Sequence, residues 1–346
     1  MTILKLIHIF ILSLILSSVI PNSLFASKID TIYFQHGDRI TAEVKSLENN
    51  QLRLSTDDAS TIKIEWNKVD SVKILTHMRI VLDEGNILYG KLTTAGVQGS
   101  CYIWHRDGDP LLIELIRIVS LRPIEDRFAN RLNGSVSSGF SYVKASEVLQ
   151  MNLNGSVEYL ARKNQVALAY DGILTKDPQS GSSQRQNGSV TFRRVLPKNW
   201  FLLSQFTAES NSELQLDLRT SLGLGAGKSI VKTNFSHLYT ALGLQGNREY
   251  SQGEQQMNLE GIVGAGYSVF IYDDPEVSLN LTATAYPSLN DLGRVRSDVD
   301  SGLKWEVFND FYLKWTFYYS FDNKPLSGSN EKTDWAITLV GFEYKL

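Results

Sequence analysis

Residues 225–229, Gly-Ala-Gly-Lys-Ser, have the residue types of a phosphate-binding loop. The full motif, Gly-x-x-x-x-Gly-Lys-Ser, needs its first glycine at position 222, where this sequence has Leu222. The neighbouring residues do not indicate the hydrophobic parallel strand and the helix that must flank such a loop. We therefore predict no nucleotide site. The glycines are interpreted as positions where a strand bends or leaves interior space.

The adjacent pair Ser236-His237 contains the residue types of a serine hydrolase nucleophile and its base. Neighbouring residues of a strand point to opposite faces, so these two side chains cannot meet within a strand. A triad would need another serine, and no motif marks one. We expect a non-enzymatic protein without catalytic residues, and we keep a membrane lipid hydrolase that uses His237 as the alternative.

Cys101 is the single cysteine of the chain, which excludes an intramolecular disulfide framework and a Cys-x-x-Cys metal site. His36, His77 and His105 share no spacing that is typical of metal ligands. We expect no metal site and no cofactor. The net charge of −3 gives no electrostatic reason to expect a nucleic-acid partner.

Charged residues recur on one face of several predicted strands in the second half of the chain. We predict that nine of them face the lumen of a barrel: Asp217, Arg219, Glu260, Arg294, Arg296, Asp298, Asp300, Lys304 and Glu306. Such charges can tune the path of a solute. They can also pair with each other and fill a narrow barrel. Because both signs occur in nearly equal number, we favour the paired network.

Strands with period-two alternation, from about residue 130 onward, must position these charges. Within 311–321, an apolar face of Phe, Leu, Trp, Phe, Tyr and Phe alternates with Tyr, Lys, Thr, Tyr and Ser. A soluble β-sandwich also alternates. Aromatic residues near the ends of the apolar faces and several charges on each polar face favour a transmembrane β-barrel with a wet lumen.

We predict twelve strands in this region, with ten or fourteen as alternatives. They start near residues 131, 148, 165, 187, 199, 213, 233, 255, 276, 293, 311 and 333. The connections after even-numbered strands are mostly short, with the least clear one placed at 227–232. Those after odd-numbered strands are longer, at 176–186, 245–256, 288–293 and 322–334. Short turns at one end and long loops at the other are typical of outer-membrane barrels, with both termini in the periplasm.

Residues 28–122 are predicted to form a separate small β-domain with an internal repeat. The segment 32–44 (IYFQHGDRITAEV) is matched about 48 residues later by 80–92 (IVLDEGNILYGKL). Each repeat reads as a strand, a glycine turn and further short strands, and the pattern resembles Sm-like or SH3-like small barrels. Sm-like folds often bind RNA, but this region lacks the basic excess that RNA binding requires. We predict a periplasmic module that contacts a periplasmic protein or peptidoglycan.

Residues 1–26 have the parts of a secretory signal peptide: a short basic start, an apolar stretch at 6–20 and a cleavage site that ends at Ala26. The alternative is an uncleaved anchor helix, but the apolar stretch is short of the roughly 20 residues that span a bilayer. No later segment reaches the roughly 18 continuous apolar residues of a transmembrane helix. A membrane role would therefore use strands.

The C-terminal residues form a further pattern, with Val340, Phe342, Tyr344 and Leu346 at alternate positions. Outer-membrane barrels typically end on an aromatic residue with this spacing, and only Leu346 departs from it. We interpret these four residues as a signal for the barrel-assembly machinery.

Three segments of the second half occur in a characteristic order: 196–202 (LPKNWFL), 216–227 (LDLRTSLGLGAG) and 243–249 (GLQGNRE). Together they resemble the DUF481 family over about residues 130–346, which leaves the N-terminal module outside the resemblance. The resemblance implies an outer-membrane β-barrel without an assigned biochemical role. No catalytic residue is therefore carried over from the family.

These observations predict an all-β protein with a signal peptide at 1–26, a duplicated small β-module at 28–122 and an antiparallel transmembrane barrel at 130–346. The expected location is the outer membrane of a Gram-negative cell, where outer-membrane lipid is a partner. The leading function is a structural component or a narrow passive pore. A soluble secreted β-protein that binds partners is a further alternative.

Overall fold

The computed structural model describes residues 30–105, 108–124, 131–144, 146–161, 163–179, 181–273, 275–308, 311–326 and 332–344. The predicted signal peptide at 1–26 lies outside these ranges. The described chain is all-β and contains two antiparallel sheets, one of nine strands and one of twelve. No helix among the described residues has the length and the apolar composition needed to cross a membrane.

The first sheet forms the N-terminal module. Its strands are β1 (Asp30–Phe34), β2 (Arg39–Glu48), β3 (Gln51–Ser55), β4 (Thr61–Glu65), β5 (Val69–Leu82), β6 (Ile87–Thr94), β7 (Ser100–His105), β8 (Leu111–Glu114) and β9 (Ile118–Pro123). Their order is β4-β3-β2-β1-β5-β6-β7-β8, and β9 pairs with β2 and β5. Alternate residues such as Val44, Leu54, Ile80 and Ile103 are fully buried in one apolar core, as a half-buried sheet requires.

The two repeats of the module have the same local structure. Gly37 and Gly85 occupy equivalent turns with φ of 91° and 82°, a conformation that favours glycine. Short 3₁₀ turns follow β4 at Trp66–Lys68 and β8 at Leu115–Arg117. The long strand β5 serves both repeats, because its first half pairs with β1 and its second half pairs with β9. The repeat seen in the sequence is therefore a structural duplication.

Side chains of one repeat complete the other. The indole Nε1 of Trp66 donates a hydrogen bond of 2.7 Å to the carbonyl oxygen of Leu115, the equivalent turn residue of the second repeat. Leu47 of β2 pairs with Leu121 of β9, and both side chains are fully buried. The module is consequently a single folding unit with one shared core.

The second sheet contains the twelve predicted strands. They are β10 (Leu132–Val143), β11 (Val148–Leu160), β12 (Asn164–Asp177), β13 (Gly181–Val195), β14 (Trp200–Asn211), β15 (Leu216–Lys232), β16 (Ser236–Ser251), β17 (Glu254–Ile271), β18 (Val277–Pro287), β19 (Val295–Phe308), β20 (Phe311–Asp322) and β21 (Lys332–Tyr344). Each strand pairs with the next one along the chain. The predicted strand count is confirmed, and eleven of the predicted starts lie within three residues of the observed ones, with β13 the exception.

Three predicted connections were wrong. The expected loop 176–186 is a short turn, because β12 continues to residue 177 and β13 begins at 181. The expected loop 245–256 is a two-residue turn at Gln252 and Gly253, flanked by the long strands β16 and β17. The link expected at 227–232 lies within β15, and the turn follows at 233–235. In each case polar residues continue a strand instead of ending it.

The twelve-stranded sheet curls so that side chains of distant strands meet on its inner face. The guanidinium of Arg185 on β13 lies 3.9 Å from the ring centre of Tyr318 on β20. Arg296 on β19 bonds to Glu260 on β17 across the intervening β18. The strand pairings of the described residues run from β10 to β21 and do not include a pairing of β10 with β21. Full closure into a barrel stays a prediction.

The module contacts the turns at one end of the curled sheet, here termed the module end; the opposite end is the loop end. Asn199 Nδ2 donates to the Asp83 carbonyl at 2.9 Å. Asn234 Nδ2 donates to the carbonyls of Ile116 at 2.8 Å and Ile118 at 3.0 Å. The short turns after β13 and β15 therefore hold the module in place.

A third turn adds charge to the same contact. Asp273, in the turn after β17, forms an ion pair with Lys68 and accepts a hydrogen bond of 3.2 Å from Asn67 Nδ2. The Lys68 ammonium lowers the pKa of the Asp273 carboxyl below its ordinary value. This contact is solvent-exposed, so it contributes less than the buried amide contacts of Asn234.

The C-terminal strand carries three of the four predicted assembly-signal residues. In β21, Val340 pairs with Lys314 and Tyr344 pairs with Phe311, and Phe342 lies between them. The fourth residue, Leu346, lies outside the described residues. Their role as a signal stays a prediction.

Candidate functional site

The inner face of the curled sheet is polar and its outer face is apolar. On β15, Arg219, Ser221 and Ser229 are buried, whereas Leu222 and Leu224 between them are exposed. On β16 the same alternation buries polar residues and exposes leucines. The inner residues here are Gln245, Asn247 and Glu249, and the outer ones are Leu242 and Leu244. Period two thus places the chemistry of these strands inside the lumen.

A charged layer fills the lumen at the loop end. Arg294 is fully buried and donates to both oxygens of Glu249, at 3.1 and 2.8 Å. Its guanidinium also binds Asp322 at 2.7 Å. Arg219 bonds to Glu249 at 3.0 Å and to Glu209 at 3.3 Å. These five residues come from β14, β15, β16, β20 and the loop before β19, so the layer joins strands around the lumen.

A second layer lies one step deeper. Arg296 is bound to Glu260 through two hydrogen bonds of 2.9 and 2.7 Å. Gln245 donates a further bond of 2.6 Å to the same carboxylate. Beside them, Ser320 donates to Asp298 at 2.7 Å. Two-pronged arginine–carboxylate pairs are among the strongest and most directional contacts in proteins. We name the two layers together the ionic plug.

The ionic plug depends on the pairing of its buried charges, which are three arginines and five carboxylates. Carboxylates and guanidiniums removed from water are tolerated only when they are paired and hydrogen-bonded. Removing one partner of a buried pair leaves the other uncompensated, at a cost of about 3–5 kcal/mol. The arginines of the plug contact carboxylates of other strands across the lumen, although Arg294 Nη1 is buried without a hydrogen-bond partner among the described residues.

Four of the nine predicted lumen charges lie outside the plug, and three of these four lie at the two ends of the strands. Asp217 is exposed at the loop end and accepts the backbone N–H of Gln252 at 2.8 Å. Lys304 donates to Glu276 at 2.6 Å near the module end, and Glu306 accepts the Glu276 amide at 2.9 Å. These residues fix turns and do not meet the plug.

The ninth charge, Asp300, lines a cavity of about 440 Å³ in the middle of the lumen. Asp171 and Arg185 lie on the opposite wall, on β12 and β13. The Arg185 guanidinium stacks on the ring of Tyr318. The lining of the cavity therefore includes both acidic and basic side chains. The lumen is thus filled at the loop end and retains open volume at mid-height.

Sequence reasoning identified Glu260 and Asp298 but missed the other carboxylates of the plug. Glu249 lies in a segment expected to be a loop, and Asp322 lies at the boundary of another. Glu209 and Gln245 were also missed. The available signal was the alternation along β16, because Gln245, Asn247 and Glu249 are every second residue and therefore share one buried face. Which charges meet across the lumen depends on long-range pairing and carries no local signal.

Ser229 and His237 meet on the inner face near the module end. The hydroxyl of Ser229 lies 2.9 Å from Nε2 of His237. The serine partner is thus not the adjacent Ser236 but a residue of the segment that resembles a phosphate-binding loop. Within the described part of the chain, no carboxylate hydrogen-bonds to His237, so the third member of a hydrolase triad is absent there.

Glycines make room for the aromatic residues beside this pair. A Cβ on Gly227 would lie 2.3 Å from the ring of Phe201, and one on Gly266 would lie 2.2 Å from the ring of Tyr239. Phe201 and Tyr239 then meet edge to face at 6.1 Å. This agrees with the interpretation that the glycines of 225–229 leave interior space. The helix that would follow a phosphate-binding loop is not found there, because β15 continues to Lys232.

The outer face is markedly apolar. Large apolar side chains are exposed along most of the described strands: Val136, Phe140, Leu168, Val190, Phe206, Leu222, Leu224, Leu242, Leu244 and Val263. Exposed aromatic residues lie at both ends of the sheet: Trp200, Phe235, Trp305 and Phe308 at the module end, and Phe140, Tyr142 and Trp335 near the loop end. Contiguous exposed apolar surface of this extent marks an interaction with lipid or with protein.

The family described as "Protein of unknown function, DUF481" matches residues 136–345, which confirms the resemblance and places the chain in that family. The module lies outside the matched residues. Comparison with curated proteins and with solved structures gave no match. Among the described residues, no cluster of His, Cys, Asp and Glu could hold a metal ion.

Proposed function

We propose that the protein is an outer-membrane β-barrel of a Gram-negative envelope that acts as a closed structural component. The observation that carries this proposal is the distribution of polarity over the twelve-stranded sheet. Leucines and valines cover the outside, and charges fill the inside. A membrane-spanning barrel needs this inversion, because lipid contacts its outer face and water its lumen.

The exposed aromatic residues at the module end also support a membrane-spanning barrel. Trp200, Trp305 and Phe308 occupy the position of an interfacial girdle. Phe308 stacks on Phe311 across the turn after β19, with ring centres 4.2 Å apart. The short turns and the module then lie in the periplasm, and the loop end faces outward.

The lumen supports a structural role over an open pore. The ionic plug fills the loop end, and the module contacts the turns at the other end through Asn199 and Asn234. Any passive pore through this protein is narrow. The exposed surface of the module is available to contact a periplasmic protein or peptidoglycan. During insertion, the partners of the barrel are outer-membrane lipid and the barrel-assembly machinery.

The proposed role is non-enzymatic. The Ser229–His237 pair faces the interior and lacks a described carboxylate partner, which disfavours a lipid hydrolase whose site must meet lipid on the outer face. We expect phospholipase activity of outer-membrane fractions to be the same for the wild type and for His237→Ala. A specific loss in the variant would support the hydrolase instead.

Two measurements test the barrel and its closure. Native outer-membrane fractions are compared on an SDS gel with and without boiling, and a folded barrel migrates at a different apparent mass when unboiled. Planar-bilayer recording of the purified chain should then give little conductance. An unshifted band, with release of the protein by urea without detergent, would refute the membrane barrel; a large stable conductance would refute the closed lumen.

A further inference from the structure

A cavity of about 190 Å³ lies between the module and the inner wall of the barrel at the module end. Arg79 and Arg122 of the module line one side, and Arg193 and Lys232 of the barrel line the other. The Ser229–His237 pair borders the same space. No residue here belongs to the ionic plug, so the cavity is a separate site.

The acidic groups of this cavity are already engaged. Glu48 accepts two hydrogen bonds from Arg122, at 2.7 and 2.5 Å. Glu158 lies 3.7 Å from the same guanidinium and also accepts a bond from Gln165. Both carboxylates therefore pair with Arg122 of the module, and neither forms an ion pair with Arg193 or Lys232 on the barrel side of the cavity.

The barrel wall of the cavity carries uncompensated positive charge. Within the described residues, neither Arg193 nor Lys232 has an ion pair with a carboxylate. The Arg193 guanidinium lies over the ring of Phe201 at 4.1 Å, and its Nε is buried without a hydrogen-bond partner. Burying cations without counter-charge is unfavourable. The ionic plug shows that this chain pairs buried arginines elsewhere, which makes the exception here informative.

We propose that this cavity binds a small phosphate-bearing anion. The oxyanion would supply the missing acceptors for Arg193 and Lys232, and arginine and lysine are the side chains that recognise phosphate best. Ser229 and His237 add neutral hydrogen-bonding groups beside the charges. The volume is below the roughly 300 Å³ of common ligand pockets, so the ligand is a phosphate or a phosphate ester of a few carbon atoms.

The anion would also join the two parts of the protein. Arg79 lies on the module, whereas Arg193 and Lys232 lie on the barrel, so one bound phosphate contacts both walls. Burial lowers the pKa of Arg79 from its ordinary value. An anion in the cavity is expected to offset this burial and to hold the module more firmly against the turns.

The test is calorimetric titration of the purified full chain in a non-ionic detergent, with inorganic phosphate and with glycerol 3-phosphate at pH 7. We expect saturable binding in the wild type. Affinity should fall about tenfold or more in Arg193→Gln and in Lys232→Gln, since each removes a charge-assisted contact. The matched control is Arg194→Gln, because Arg194 is the exposed neighbour on the opposite face of β13.

Thermal unfolding separates binding from damage to the fold. Phosphate should raise the unfolding temperature of the wild type and of Arg194→Gln, and should leave that of Lys232→Met unchanged. Without phosphate, Lys232→Met should be at least as stable as the wild type, because it removes a half-buried cation that has no carboxylate partner among the described residues. Absence of saturable binding to the folded wild type, or equal weakening by Arg194→Gln, would overturn the proposal.

The source of the phosphate is resolved by repeating the titration in nanodiscs. If phosphatidylglycerol discs abolish phosphate binding and phosphatidylcholine discs do not, the ligand is an anionic lipid headgroup. If binding is equal in both, the ligand is a free solute. Both outcomes support the site, and neither depends on whether the lumen conducts.

Discussion

Arg294 and Glu249, from neighbouring walls of the lumen, are joined by hydrogen bonds of 3.1 and 2.8 Å although 45 residues separate them in the sequence. Both side chains are almost fully buried. The pair fixes the distance between β16 and the start of β19, and Asp322 extends it to β20. The curvature of the sheet and the filling of its lumen are therefore set by the same contact.

Removing Arg294 should open the loop end. Arg294→Met leaves Glu249 and Asp322 buried without their main cation, and we expect a loss of about 3–5 kcal/mol in unfolding free energy. Planar-bilayer conductance should rise above that of the wild type. Lys324→Met is the control, because Lys324 forms an exposed pair with Asp291 at the same end. Unchanged conductance and stability in Arg294→Met would show that the plug does not seal the lumen.

Adding a side chain at Gly227 should disturb the module end. A Cβ there would meet the ring of Phe201 at 2.3 Å, so Gly227→Val should lower the unfolding free energy by about 1–3 kcal/mol. Gly246→Val serves as the comparison, since nothing lies within 4 Å of a Cβ at that position. Urea unfolding in detergent measures both. Equal effects of the two substitutions would contradict the steric role of Gly227.

Asn234 should hold the module to the barrel. Its amide nitrogen donates to two module carbonyls, so Asn234→Ala is expected to cost about 1–3 kcal/mol of docking and to speed proteolysis between the two parts. Asn290→Ala is the matched control, because Asn290 makes a comparable amide-to-carbonyl bond to Met257 at the loop end. A proteolysis rate equal to that of the wild type in Asn234→Ala would place the docking energy elsewhere.

Asp30 gives the module a pH dependence. Its carboxylate accepts the backbone N–H groups of Val44 and Leu75, but burial raises its pKa above the ordinary value of 3.8. A carboxyl with a raised pKa in the folded state binds protons more tightly there than in the unfolded chain. The contribution of Asp30 to the free energy of unfolding is therefore fully present below pH 3.8. It is lost as pH rises through the pKa that Asp30 has in the folded state.

Denaturant unfolding of the wild type and Asp30→Asn from pH 3.5 to 7 measures this contribution. The stability of the wild type relative to the variant should be highest at the acid end and fall as pH rises. A difference between the two proteins that stays constant over this range would show that Asp30 does not titrate differently on folding.

The outer face should tolerate charge poorly. Leu224 lies at the middle of β15 and is exposed, so Leu224→Arg would place a charge at the bilayer midplane at a cost of about 2–4 kcal/mol. Thr207→Arg is the control, because Thr207 pairs with the buried Ser221 and faces the lumen. The folded fraction on an unboiled gel should fall in Leu224→Arg alone. The reverse result would mean that the sheet is turned inside out.

The strands were predictable because period-two alternation is a local property. Phe311–Asp322, with its aromatic face, was placed within one residue by pattern alone. The errors fell where inner faces are most polar. In 245–256, residues Gln245, Asn247 and Glu249 point into the lumen, and the resulting run of polar residues is indistinguishable in sequence from a loop.

The site was predictable only in part. The alternation of polar and apolar residues identified Arg219, Arg294 and Arg296 as inner residues. The partners of these arginines depend on how far the sheet curls and on the register of strands far apart in sequence. The Ser229–His237 contact was hidden for the same reason. Ser229 lies opposite Tyr239, near a register shift between β15 and β16, and no spacing rule anticipates that shift.

The bond from Trp66 to the carbonyl of Leu115 makes the two repeats of the module depend on each other. Without the second repeat, the indole N–H of Trp66 would lose its acceptor and Leu47 would lose its pairing with Leu121. An unsatisfied buried donor costs about 1–3 kcal/mol. Unfolding of one repeat is therefore expected to unfold the other, so the module should melt in one cooperative transition.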